Sequence, residues 1–312
     1  MKVLLISWVD LGGVNYKTAQ ALRSAGVEVV QLTFKTHLGY PVETYINPNK
    51  PSGKAYLDKM LAWADVVQVQ EFWMKAASLG ILEHPCIVYH PLGTTHRRSY
   101  AEANAWMDKY CSGAYCSEIT AYFLGGGRFK YIESPYPEST EKVSFSLPLK
   151  VIHAPTSARR FSVKNTPIVK AAFAKIKSPA QLVLVHDQNN QYCMKVKRAC
   201  NVLIDQPGCF GGGMNSIEAW SMGMPVISGF SGSPVGTRKW REIAHGLYGE
   251  IPFLVANGNG GKLVNEVVKA VGQLTDPDTW NHWSQVGTDY FHRFHEEKEV
   301  GRQLAEFFRS AL

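Results

Sequence analysis

The stretch Val3–Leu32, VLLISWVDLGGVNYKTAQALRSAGVEVVQL, decides the fold. Val3–Trp8 is a continuous apolar run, the pattern of a strand buried on both faces. Asp10-Leu11-Gly12-Gly13 makes a turn, a helix is expected from about Asn15 to Ala25, and Gly26 stops it. Val27–Leu32 is a second buried strand. Strand, glycine turn, helix and strand form the βαβ unit of a parallel, doubly wound sheet, so the chain belongs to the α/β class. The opening Met1–Ser7 could pass for a secretion signal, but its apolar run is short and Asp10 falls where that run should continue.

Outward from this unit, Asp65–Val69 and Cys86–Tyr89 read as further strands. Pro135, Pro137 and Pro148 flank a polar stretch that reads as a linker. The pattern then restarts. Strands are expected at Lys150–His153, Gln181–Val185, Val202–Asp205 and Pro225–Ser228, with helices at Pro167–Ile176 and Asn215–Met222. The end, from about Asp278 to Leu312, is helical by period, with Tyr290, Phe294, Leu304, Phe307 and Phe308 on its apolar face.

The bulk numbers agree with two domains. The chain has 312 residues, 45% hydrophobic and 19% charged, an ordinary globular balance. No apolar stretch approaches the roughly 18 residues of a membrane span. The six cysteines form no CxxC pairs and no zinc-type spacing, so they read as reduced thiols in a cytoplasmic protein. A formal net charge of +7 favours an anionic partner, namely a nucleotide diphosphate, a nucleic acid backbone or an anionic membrane surface touched peripherally.

The strongest chemical signal is Asp205-Gln206-Pro207-Gly208-Cys209-Phe210-Gly211-Gly212-Gly213-Met214-Asn215-Ser216-Ile217-Glu218-Ala219. A strand ends, glycines make a loop, and a helix begins near Gly213. The amides of Met214, Asn215 and Ser216 at that helix start make an anion site. Glu218, one turn in, can accept the hydroxyls of a ribose. The plain alternative is a glycine-rich surface loop with a solvated Glu218. After the first strand of the second half, Arg159 and Lys164 can neutralise a diphosphate leaving group, or they are a solvated basic loop. Gly12-Gly13 permits close approach of a ligand, or only makes the turn. His90, at a strand's C-terminal end, can bind a sugar hydroxyl or serve structure. Asp276-Pro277-Asp278 reads as helix capping rather than a metal site, and His282, His292 and His295 lack zinc-motif spacing, so no metal ligand is expected.

Taken together, these segments resemble the retaining glycosyltransferases of the GT-B fold, family-4 type, over nearly the whole chain. Glu218-Ala219 running into Met222-Gly223-Met224-Pro225-Val226-Ile227 is the most specific match. The early Gly12-Gly13 loop, Ala64–Gln70, the His90–Gly93 turn and Arg159 with Lys164 are the others. The resemblance implies two Rossmann-like domains facing a cleft, residues 1–148 on the acceptor side and 149–289 on the nucleotide-sugar side, with a helical tail, 290–312, returning to the first domain. It implies a metal-independent hexosyl transfer without cofactor from a UDP- or GDP-linked donor to an acceptor hydroxyl, carbohydrate or lipid-linked. Glu218 would bind the ribose. Arg159, Lys164, Gly213 and the amides of Met214, Asn215 and Ser216 would hold the diphosphate. Gly12 and Gly13 would face the donor, and His90 would contact the transferred sugar. Phe210 stands where the family often has a second glutamate, and Gln70 stands at its histidine-bearing strand end. Both departures fall on the sugar side.

Three other readings compete. Hydroxymethylated DNA as acceptor suits the charge, with Arg97, Arg98 and Lys109 as backbone contacts and a flipped base as target. Phe210 feeds a non-catalytic nucleotide-binding protein. A dinucleotide oxidoreductase is disfavoured, because the first turn lacks GxGxxG spacing and Glu28 lies too near it.

Overall fold

The computed structural model describes residues 1–36, 39–92, 96, 98–157, 164–233 and 236–312. The chain divides into two compact units, Met1–Pro135 with Phe294–Leu312, and Tyr136–Arg293.

The first unit is built on a seven-stranded parallel sheet of β1 (Lys2–Ser7), β2 (Glu28–Thr33), β3 (Thr44–Tyr45), β4 (Val66–Gln70), β5 (Ile87–His90), β6 (Gly113–Cys116) and β7 (Lys130–Tyr131), in the order β3-β2-β1-β4-β5-β6-β7. Strand β1 shows why the opening residues form a central strand. Leu4 and Ile6 enter one core, while Val3 and Leu5 enter the other, so alternate side chains bury on opposite faces. Helix α1 (Val14–Ser24) covers the second face, and α2 (Pro51–Trp63) contributes Leu57 and Met60 to the first. Helix α3 (Tyr100–Tyr110) and the short α4 (Ile119–Leu124) flank β6.

The second unit has a five-stranded parallel sheet of β8 (Leu149–His153), β9 (Ala180–Leu184), β10 (Val202–Ile204), β11 (Val226–Ser228) and β12 (Leu254–Val255), in the order β12-β11-β10-β8-β9. Its helices are α5 (Thr166–Phe173), α6 (Asn190–Arg198), α7 (Met214–Ser221), α8 (Thr237–Tyr248), α9 (Gly260–Gln273) and α10 (Pro277–Phe294). Residues 136–148, read from sequence within the first domain, pack with this unit. Val143 and Phe145 rest on its core, and the Val143 amide donates to the Met222 carbonyl at 2.9 Å.

The helical tail is two helices rather than one. Helix α10 ends at Phe294, and α11 (Glu297–Ala311) follows after a break at His295-Glu296. The helical period runs through the break, which is why the sequence does not show it. Buried His295, whose Nδ1 lies 2.9 Å from the Ser134 carbonyl, pins the chain where it passes into the first unit. Helix α11 then lays Val300, Leu304, Phe307 and Phe308 on the core beside α1. Gly301 permits the close crossing, since a Cβ there would lie 2.0 Å from the Ala21 carbonyl oxygen.

Both sheets reverse direction of strand order once near the middle, between β1 and β4 in the first and between β8 and β10 in the second. In open α/β sheets ligands bind beyond the strand C-termini at such a reversal.

Candidate functional site

In the second unit, the reversal lies between β8 and β10, and the chemistry gathers beyond their ends. Asp205, just past β10, is buried, and its Oδ2 accepts the Gly213 amide at 2.8 Å and the Ser216 hydroxyl at 2.9 Å. Lys164, on the loop after β8, donates to Asp205 Oδ1 at 2.8 Å and to Gln206 Oε1 at 2.9 Å. Burial alone would push the Asp205 carboxyl up. The adjacent ammonium, with the Gly213 and Ser216 donors, outweighs burial and holds it below the usual carboxylate range. Gly213 leaves room for this, because a Cβ there would lie 3.2 Å from Asp205 Oδ2.

Helix α7 begins at Met214 with these groups around its N-terminus. The Ser216 amide donates to the Gly213 carbonyl at 2.8 Å, so it is already engaged within the turn. Asn215 donates its Nδ2 to the Ala154 carbonyl at 3.1 Å. Glu218 is 1% exposed rather than solvated, and Lys197 of α6 forms a buried ion pair with its Oε2. Lys197 also donates to Asn215 Oδ1 at 2.6 Å. Burial opposes the Lys197 charge, but the Glu218 carboxylate outweighs it and raises the lysine above its ordinary range. The other oxygen, Glu218 Oε1, is buried without a hydrogen-bond partner.

The structure therefore brings Lys164, Gly213, Met214, Asn215, Ser216 and Glu218 to one helix start. Arg159 lies outside the described residues. Sequence reading missed Asp205 and Lys197 as members. A polar residue ending an apolar strand was the available signal for Asp205. Lys197 gave none, because it sits among Lys195 and Arg198 on a helix that reads as a solvated basic face.

In the first unit, Gly12 and Gly13 have φ of 69° and 64°, the left-handed region glycine tolerates. Asp10 accepts the Asn15 and Tyr16 amides, each at 2.9 Å, so its own carboxylate fills the start of α1. Burial pushes that carboxyl up to about 6 despite those amides and Lys17.

His90 ends β5, stacked on Tyr115 with ring centroids 4.2 Å apart. Burial pushes it down to about 3, so at neutral pH the ring is uncharged, with one donor and one acceptor nitrogen. Strand register places Ser7 beside Gln70 and Gln70 beside His90, at the C-terminal ends of β1, β4 and β5. All three are buried, and Ser7 Oγ, both amide atoms of Gln70 and both ring nitrogens of His90 lack hydrogen-bond partners. Buried polar groups are seldom left so, and three on adjacent strands at the sheet's reversal have the chemistry to bind a neutral ligand rich in hydroxyls. Beneath them Tyr115 donates to Gln68 Oε1 at 2.7 Å, and Gln68 donates to Asn15 Oδ1 at 2.8 Å, which fixes the ring His90 rests on.

His153 looks similar in sequence but serves structure. Its Nδ1 donates to the Ile204 carbonyl and Thr166 Oγ1 donates to Nε2, both at 2.8 Å. Asp276 caps α10 by accepting the Thr279 amide at 2.8 Å and hydroxyl at 2.7 Å. Among the described residues, no group of His, Cys, Asp and Glu is placed to hold a metal ion, and no helix is long and apolar enough to cross a membrane. Gly93 and Arg97 fall outside the described residues. Arg98 precedes α3 and Lys109 lies in its last turn, so they stand near opposite ends of that helix.

No family model matches the sequence, and none of the curated proteins does. Solved structures match over almost the whole chain. HepE from Anabaena, determined in complex with UDP-glucose, superposes with a TM-score of 0.72 at 14% identity, covering 99% of this chain and 100% of that one. Sucrose-phosphate synthase from Thermosynechococcus elongatus gives 0.66 at 14% identity, covering 99% and 98%. An alpha-glucosyltransferase (AGT) in complex with UDP gives 0.63 at 8% identity, covering 99% and 100%. With two parallel α/β sheets and a match of this extent, the chain has the GT-B fold.

Proposed function

We propose that this chain is a nucleotide-sugar-dependent glycosyltransferase that moves a hexosyl group to an acceptor hydroxyl, with retention of configuration and without a bound metal. The observation that carries it is the cluster at the start of α7. There a buried carboxylate, a lysine and a helix N-terminus meet at the strand-order reversal of the second sheet. Two of the three Lys164 ammonium hydrogens are taken by Asp205 and Gln206, which leaves the third for a phosphate oxygen. With Arg159 and the Met214 and Asn215 amides, it would offset the charge that grows on a diphosphate as the glycosidic bond breaks. Asp205 holds Lys164 in place and keeps the helix start capped. Glu218 Oε1 would accept from the ribose. Gly12 and Gly13 would let the donor approach the backbone, and His90, Gln70 and Ser7 would bind sugar hydroxyls as neutral groups.

HepE with UDP-glucose and the alpha-glucosyltransferase with UDP favour a UDP-linked donor, with GDP the alternative. The acceptor is proposed to be carbohydrate or lipid-linked. Hydroxymethylated DNA is the other arm of the test, with Arg98 and Lys109 as its candidate backbone contacts. Non-catalytic nucleotide binding is the third outcome. Incubation with a panel of UDP- and GDP-sugars, scored for released nucleoside diphosphate with and without oligosaccharide, lipid-linked and hydroxymethylated DNA acceptors, is expected to show acceptor-dependent release with a UDP-sugar. Nucleotide binding without release in any arm would leave only the non-catalytic reading.

A further inference from the structure

Lys197 is fully buried, yet it comes from α6, a helix whose other cations face solvent. It reaches two side chains of α7 at once, forming the ion pair with Glu218 Oε2 and donating to Asn215 Oδ1. A free carboxylate has two oxygens and can take two adjacent hydroxyls, one on each. Here the lysine stem and ammonium fill the approach to Oε2. Oε1 is left buried with no partner, an arrangement that disfavours the empty site because an ionised oxygen goes unsatisfied. Removing the lysine would in turn release Oε2 and leave the buried carboxylate without its counter-ion.

We propose that Lys197 is a positioning residue of the nucleotide site, leaving Glu218 a single acceptor, so that the site reads one ribose hydroxyl and accepts a nucleoside diphosphate lacking the other. The inference rests on the reading of α7 as the nucleotide site. It extends the donor class to one of the two monodeoxyribose diphosphates, and it assigns that tolerance to a residue outside the glycine loop.

The test is calorimetric titration of the wild-type chain with UDP or GDP, whichever binds more tightly, and with its 2′-deoxy and 3′-deoxy analogues. One analogue is expected to bind like the parent and the other roughly tenfold more weakly, the scale of a hydrogen bond to a charged group. In Lys197→Met, Oε2 is released to accept the second hydroxyl, and both analogues are expected to bind about tenfold more weakly than the parent. A lysine that only supports folding would lower the melting temperature of Lys197→Met and leave the ratio among the nucleotides unchanged, which would overturn the proposal. Equal loss for both analogues in the wild type, or loss for neither, would overturn it without recourse to any variant and leave the nucleotide site standing. Failure of both nucleoside diphosphates to bind would remove the site and this inference together.

Discussion

His90 and His153 occupy matching places at strand ends, but only His153 has both ring nitrogens hydrogen-bonded, and both are held uncharged by burial. Their proton affinities fall to about 3 and about 4 in the folded chain, against an ordinary value near 6.5 in the unfolded one. Below about pH 6.5 the unfolded chain takes up protons that the folded chain refuses, so stability falls with pH through that range. At pH 5 each histidine should withdraw about 2 kcal/mol relative to pH 7.5. Asp10 has the opposite sign. Its carboxyl titrates near 6 when folded, so its contribution is greatest in acid and is lost as pH rises through 6. Two histidines outweigh one aspartate, and thermal melts should shift down between pH 7.5 and 5. His90→Gln should shift by roughly half as much from this source, and an identical shift in variant and wild type would contradict the account of His90.

Among the elements, α11 depends on one backbone contact. Gly301→Ala would drive a Cβ into the Ala21 carbonyl, which cannot rotate away as a side-chain tip can. Separating α11 from α1 should cost about 1–3 kcal/mol, read as a lowered melting temperature by circular dichroism, and an unchanged melt would contradict the close crossing. The strands were legible because a parallel strand buried on both faces writes a continuous apolar run, as β1 does. Helix α6 was not legible, because its polar residues resemble a loop, and neither was the break at His295, because a side chain hydrogen-bonded to Ser134, distant in sequence, interrupts an otherwise regular period. Short edge strands such as β3 and β12 carry too few residues to show a pattern.

For the whole molecule, one restart of the βαβ pattern pointed to two α/β domains and the resemblance implied the GT-B fold, while Lys164 and Glu218 stood out on a loop after a strand and one turn into a helix. What the sequence hid was the pairing. Asp205 with Lys164 and Lys197 with Glu218 join residues far apart along the chain, and only the packed sheet brings them together. On the proposed function, Lys164 and the helix start would offset the charge of the leaving diphosphate, so turnover of the preferred nucleotide sugar should persist in EDTA. Loss in EDTA with recovery on adding magnesium or manganese would contradict metal independence. Isothermal titration of UDP and GDP into wild type, Lys164→Ala and Glu218→Ala tests whether the start of α7 holds a nucleoside diphosphate. The wild type is expected to bind, and each variant to lose roughly tenfold or more in affinity while still melting cooperatively. Equal affinity in all three proteins would contradict it.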